Sequence, residues 1–398
     1  MKSLLTIGGL AAALASAPAA QAQTVTITNP LDVQRTDAVA EVVVKRPAKA
    51  WSVRIAGKTC PAQGLDGKVR FLVSLGPRQS VVATLAPKAA PEAPARVLVT
   101  LNVQDGGALV GDPANGGAIK GGTFHLRTTY TVPKDHFIHD GLIGFEGIGW
   151  ESDRVMYRLY LDQRNVTDLF GKYGTGMIYP TIGHGFDDYQ YPRAWGGDIF
   201  KVGNGLGMGG LGFLRDGKAT QTGPSTITGR VAANGPVTAV AGVDADGLGG
   251  TASSLHATYA LSAGDTLTHV DAEARDAPAP LVAGLTVHPG DTVIVPEAGA
   301  GEWSYIAVWG KQEHDQDEVG TVLFYRPSTV AGPAANDGQT LFVTFASRSE
   351  AHYAFSGRWV YENKDVPGNH AIKDIDAFRA WIAQETVELA HPLIVTRR

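Results

Sequence analysis

Between His139 and Asp216 the chain concentrates acidic, basic, aromatic and imidazole side chains in a glycine-punctuated run of strand-like segments. Its densest pieces are Gly149-Trp150-Glu151-Ser152-Asp153-Arg154-Val155-Met156-Tyr157-Arg158 and Gly183-His184-Gly185-Phe186-Asp187-Asp188-Tyr189. Core strands carry few ionisable groups, because every buried charge needs a partner. A polar, aromatic cleft is the simplest home for so many, and such clefts suit sugars or acidic small molecules.

Taken as one strand, Trp150 to Leu161 places Trp150, Ser152, Arg154, Met156, Arg158 and Tyr160 on one face. Arg154 and Arg158 then form a forked donor pair for a substrate carboxylate, with Trp150 beside them and Glu151 and Asp153 orienting the arginines or binding hydroxyls. The competing reading pairs both arginines with acids on adjacent strands. His184 lies between two glycines with its imidazole accessible, and its ordinary pKa suits proton transfer near neutrality. Asp187 or Asp188 would orient the ring, while Tyr189, Tyr191 and Trp195 supply stacking surface or a phenolic acid. The plain alternative is an exposed loop histidine.

Trp303, Tyr305 and Trp309 share one face of a strand over 302–311, which suits either a sugar-stacking platform or a core. His136 and His139, flanked by Asp135 and Asp140, converge on a metal only on a helix or turn, and no third ligand stands at zinc spacing. No metal ligand is assigned and no cofactor is expected, with a carboxylate-bound calcium left open. The run Gly203 to Gly210 lacks the helix that a dinucleotide fingerprint requires after it, so its glycines mark close backbone approach. There is no Gly-x-Ser-x-Gly elbow, and the lone Cys60 between Thr59 and Pro61 offers neither a disulfide nor an activated thiol.

The elements that must position these groups are strands. The chain has 49 glycines and 22 prolines, far more than a helical protein tolerates. The expected fold is all-β: a large antiparallel two-sheet sandwich, an N-terminal β subdomain and one C-terminal helix. Asp374 caps that helix, and Ile375, Phe378, Trp381 and Ile382 give it an apolar stripe. Residues 1–22 read as a secretory signal, from Lys2, the apolar run Leu4 to Leu14 and Ala20-Gln21-Ala22. The expected division is 23–104 for the N-terminal β region and 105–398 for the main sandwich and its cleft, with Pro87 to Pro94 either a linker or a surface loop. A periplasmic or secreted protein is expected, with no membrane association. A formal charge of −5 with scattered basic residues argues against nucleic acid as a partner. The sequence leaves the oligomeric state open.

The Trp150 to Arg158 run, Gly183-His184-Gly185 with its acidic followers, and Phe200-Lys201-Val202-Gly203 resemble an exported bacterial family classed as a domain of unknown function. Its members often lie near genes for breakdown of pectin and other uronate polysaccharides. The resemblance implies carbohydrate metabolism and a supersandwich similar to that of sugar mutarotases and several polysaccharide lyases. An insertion from Tyr189 to Ile199 distinguishes this chain. The expected activity is β-elimination on an acidic carbohydrate, with Arg154 and Arg158 neutralising the carboxylate, His184 as base and Tyr189 or Tyr191 as acid. Asp187, Asp188, Trp195, Trp303 and Trp309 would join Trp150, Glu151 and Asp153 in binding substrate. A hydrolase using two of Glu146, Glu151, Asp187 and Asp188, a mutarotase or epimerase, and a non-catalytic periplasmic sugar-binding protein are the alternatives.

Overall fold

β-Branched runs set between glycine and proline turns build antiparallel strands along the whole chain, and a single α-helix lies near its end. The computed structural model describes residues 22–185, 188–296, 301–312, 317–369 and 371–398. Phe186 and Asp187, and the proposed signal up to residue 21, lie outside the described residues.

Six strands between Gln23 and Ala86 form a seven-stranded sheet with the C-terminal strand Ile394–Arg397, which pairs with Gln23–Thr28 so that Val25 faces Arg397. This unit has its own core, including Val25, Ile27, Trp51, Phe71 and Leu85. The next strand, Val97–Asp105, already belongs to another sheet. The segment containing Pro87 to Pro94 thus links strands of two different sheets. Gln63 joins the two units: its Oε1 accepts the N–H of Val237 and Thr238, and its Nε2 donates to Thr238 O at 2.9 Å.

The main body is a sandwich. A six-stranded sheet runs in the order Thr123–Leu126, Val97–Asp105, Ile143–Ser152, Met156–Tyr160, Thr167–Lys172, Gly196–Asp198. One face carries Leu101, Trp150, Tyr157 and Leu159 into a core shared with Ala241, Val243, Tyr259 and Phe355 of a nine-stranded sheet. Trp150 stacks on Tyr259 at 5.0 Å and donates its indole N–H to Thr268 Oγ1 at 3.0 Å. Strand Met208–Arg215 passes close beneath, where a side chain at Gly209 (φ 68°) would collide with the Phe355 ring. This is the close approach expected of that glycine run.

The helix Ile375–Ala390 starts as expected, with Asp374 accepting the N–H of Ala377 at 2.8 Å. Phe378 and Ile382 bury against Trp309, Val322 and Phe324 on the nine-stranded sheet.

Candidate functional site

The expected strand from Trp150 to Leu161 is two strands, Ile143–Ser152 and Met156–Tyr160, joined by a tight turn. Turn chemistry breaks it: Ser152 Oγ accepts the N–H of Arg154, and Asp153 accepts from Gly264 N and binds Arg96. Arg154 and Arg158 therefore do not share a face. Arg154 holds Glu362 at 2.7 Å, whereas Arg158 points to the outer face of the six-stranded sheet. The structural reading of these arginines, each paired with an acid, is the one the geometry bears.

On that outer face cross-strand register brings Arg158 opposite Asp168, and Asp198 follows on the edge strand. Arg158 Nη2 lies 2.7 Å from both Asp168 Oδ2 and Asp198 Oδ2, and 2.6 Å from the Tyr160 hydroxyl. Burial and the neighbouring charge of Asp168 push the Asp198 carboxyl upward from the usual carboxylate range, against the pull of Arg158. Residues 173–185 and 188–195 cover the cluster, packing Tyr179, Ile182 and Tyr189 over Met156 and Phe170. Glu151 anchors that cover from below, accepting the N–H of Ile178 and Tyr179 and pairing with buried Lys172 at 2.9 Å.

The open end of the cluster is built around Glu146. The strand Ile143–Ser152 slips register between Ile143 and Ile148, and Phe145 (φ 42°) and Glu146 (φ 62°) adopt left-handed backbone there. Each such residue costs about 1–3 kcal/mol, a strain that persists only where surrounding contacts impose it. The bulge aims the Glu146 carboxylate at Arg164 Nη2 (2.8 Å), His139 Nε2 (3.3 Å), Arg158 Nη1 (3.8 Å) and the Tyr189 hydroxyl (2.9 Å). His139 is itself left-handed, at φ 69°. Burial pulls the Glu146 carboxyl upward, but Arg158, Arg164 and His139 outweigh it and hold it below its ordinary value, ionised. Tyr189 is pushed well up by burial and by Glu146, so its phenol stays protonated. Arg164 lies 3.5 Å over the Tyr160 ring and bonds Asp162 and Glu146 through Nε and Nη2. Its Nη1 has no hydrogen-bond partner among the described residues. The side chains of His139, Arg164 and Glu146 are 52%, 17% and 11% exposed, so His139 is the solvent-facing member and the other two are mostly covered.

His184 is exposed on the covering segment, next to Gly183, which lies directly over Gly144 and Phe145. Asp188 shapes its turn, accepting the N–H of Gly183 and His184, rather than orienting the ring; Asp187 lies outside the described residues. His136 is tied to Asp140 at 2.7 Å and does not converge with His139. Tyr191 reaches away to the Tyr173 hydroxyl, and Trp195 packs on the cover.

Other expected binding residues are structural. Trp150 is in the inter-sheet core, Glu151 and Asp153 are buried anchors, and Trp309 packs on Phe378 of the helix at 5.3 Å. Trp303 lies under Arg326 and against the same helix-side core. The sequence does not single out Arg164, Tyr160, Asp168, Lys172 or Asp198 as site residues. The available signal was Asp168 as a lone acid inside the apolar run Val166 to Phe170.

Fold and site define an all-β protein with a strained, carboxylate-centred polar cluster on the outer face of one sheet. Residues 27–395 match the family described as Domain of unknown function (DUF4861), and the chain belongs to that family. No curated protein sequence matches. Similar solved structures include a glycosyl hydrolase family 38 protein from Enterococcus faecalis, with 9% identity over 95% of this chain and 47% of that one, TM-score 0.45. An alpha-mannosidase from Enterococcus faecalis V583 is similar at 9% identity over 95% of this chain and 46% of that one, also with TM-score 0.45. The chain spans less than half the length of either, and a likeness of this degree carries no inference to its chemistry.

Proposed function

We propose that this chain is an exported carbohydrate-active enzyme that cleaves uronate-containing oligo- or polysaccharides, pectic ones among them, by β-elimination at the Glu146 cluster. The observation that carries this reading is the half-exposed His139 paired with Glu146 on left-handed backbone, with a guanidinium beside it that has a donor to spare. In this mechanism Arg164 Nη1 receives the substrate carboxylate and lowers the barrier to carbanion character at C5. His139, held by Glu146, takes the C5 proton. The C4–O bond breaks as the C4=C5 double bond forms, and His184 returns a proton to the leaving oxygen. Tyr189 and Arg158 position Glu146 and do not touch substrate. Arg164 thus takes the role expected of Arg154 and Arg158, and His139 that expected of His184.

Hydrolysis is the second reading, supported by two carboxyls in a single cluster whose surroundings push them in opposite directions, Glu146 downward and Asp198 upward. It ranks lower because Arg158 stands between them. Product analysis separates the two: elimination gives one unsaturated, ultraviolet-absorbing end for each cut, whereas hydrolysis gives a new reducing end without absorbance. On the elimination reading His139→Ala loses at least about a hundredfold in kcat. A loss of only a few-fold would remove His139 from the base role.

A further inference from the structure

The six-stranded sheet ends at the strand Thr123–Leu126, and register fixes what that edge presents. Phe124 stands opposite Gln104, and Leu126 opposite Asn102, on the strand Val97–Asp105. Thr100, the next residue on that face, stands opposite Gly149, which in turn stands opposite Arg158. Paired residues and every second residue along a strand share a face, so Phe124 and Leu126 lie on the outer face with Arg158 and Asp168. The strand Val97–Asp105 also meets the bulge: Ile143 pairs with Val103 and Ile148 with Leu101, which leaves Gly144 to Gly147 opposite Asn102. Two strand spacings, about 10 Å, therefore separate Leu126 from the backbone that carries Glu146.

Neighbouring groups bridge that interval. A Cβ on Gly183 would lie 2.7 Å from Phe145 N, and the imidazole of the next residue, His184, lies 5.3 Å from the Phe124 ring at a tilt of 43°. Gln104, beside Phe124, donates its Nε2 to Gly141 O at 2.9 Å and so holds the loop that carries His139. Phe124 is half-buried, His139 and His184 are exposed, and Leu126 is 66% exposed. A phenyl ring with an aliphatic side chain beside it suits the C–H face of a pyranose, and such a contact has no charge for salt to screen. In the elimination described above His184 protonates the leaving oxygen, so the sugar on that oxygen is the one beside Phe124. Resting on that reading, we infer that Phe124 and Leu126 form the subsite for the leaving sugar. Substrates whose uronate 4-oxygen carries a sugar ring are thereby selected over those carrying a small alkyl group.

The test is calorimetric binding of digalacturonate and of 4-O-methyl galacturonate, in which a methyl group replaces the leaving sugar. The full chain is compared with Phe124→Ala, Phe124→Tyr and Leu126→Ser, all carrying Glu146→Gln so that neither ligand is consumed. Phe124→Ala should lose about tenfold in affinity for digalacturonate and nothing for the methyl ether, while Phe124→Tyr keeps both affinities. Leu126→Ser, at an exposed position that leaves the fold intact, should lose about threefold for digalacturonate alone. Equal losses on both ligands would make Phe124 a prop for His184 and overturn the subsite. Unchanged affinity for digalacturonate in Phe124→Ala and Leu126→Ser overturns it too, as does a full chain that binds neither ligand. Digalacturonate bound with the expected losses, while wild type draws no ultraviolet absorbance from it, leaves the subsite standing and overturns the elimination reading alone.

Discussion

Glu146 is the residue on which the account turns, since it holds an unfavourable backbone conformation while its carboxylate meets two arginines, a histidine and a tyrosine. Glu146→Gln keeps the shape and removes the charge, and should lower kcat by about two orders of magnitude or more with the fold intact by circular dichroism. Its pKa is depressed on folding, from an ordinary value of about 4.3, so its ionisation stabilises the native state above that value. The stability difference between wild type and Glu146→Gln should be constant near neutrality and fade as pH falls through the depressed value, as read by denaturant midpoints. A difference that grew on acidification would contradict the assignment. The sequence made Glu146 a candidate carboxylate and His139 a candidate ligand, but not their pairing. That pairing depends on a bulge, and one residue of slip reverses which side chains face the site.

At the scale of elements, the helix was legible because its cap and apolar stripe are local in sequence, and Asp374 and Phe378 do what their spacing implied. Strand 150–161 was not, because a Ser-Asp-Arg turn interrupts an alternation that otherwise runs straight through it. Arg154 and Arg158 then find acids at Glu362 and Asp168, pairings set by tertiary fold rather than spacing. The buried Lys172–Glu151 pair fixes the start of the covering segment. Lys172→Met leaves a buried carboxylate without its cation and should destabilise by about 3–5 kcal/mol. Adding Glu151→Gln should recover part of that loss in thermal melts; additive losses would show that the pair does not couple.

For the whole molecule, the all-β class followed from glycine, proline and β-branched content, whereas the return of Ile394–Arg397 to the first sheet joins strands at opposite ends of the chain and left no local mark. Gln63 and the helix tie the two units together, the latter through Arg35 and Glu388 at 3.0 Å. Gln63→Ala leaves the Val237 and Thr238 amides unpartnered and should cost about 1–3 kcal/mol. In the same junction Glu385 is pushed up to about 8 by burial and by Asp265 and Glu388. A raised carboxyl stabilises below its unfolded value and loses that contribution as pH rises to about 8. Glu385→Gln should therefore match wild type in melting temperature near pH 4 and exceed it above about pH 8. The central claim is tested most directly by following ultraviolet absorbance while the protein meets a panel of pectic, alginate and glucuronate-containing oligosaccharides. Rising absorbance with wild type and none with Glu146→Gln is the predicted result. A flat wild-type trace across the panel, or an equal rise in the variant, would contradict elimination at this site.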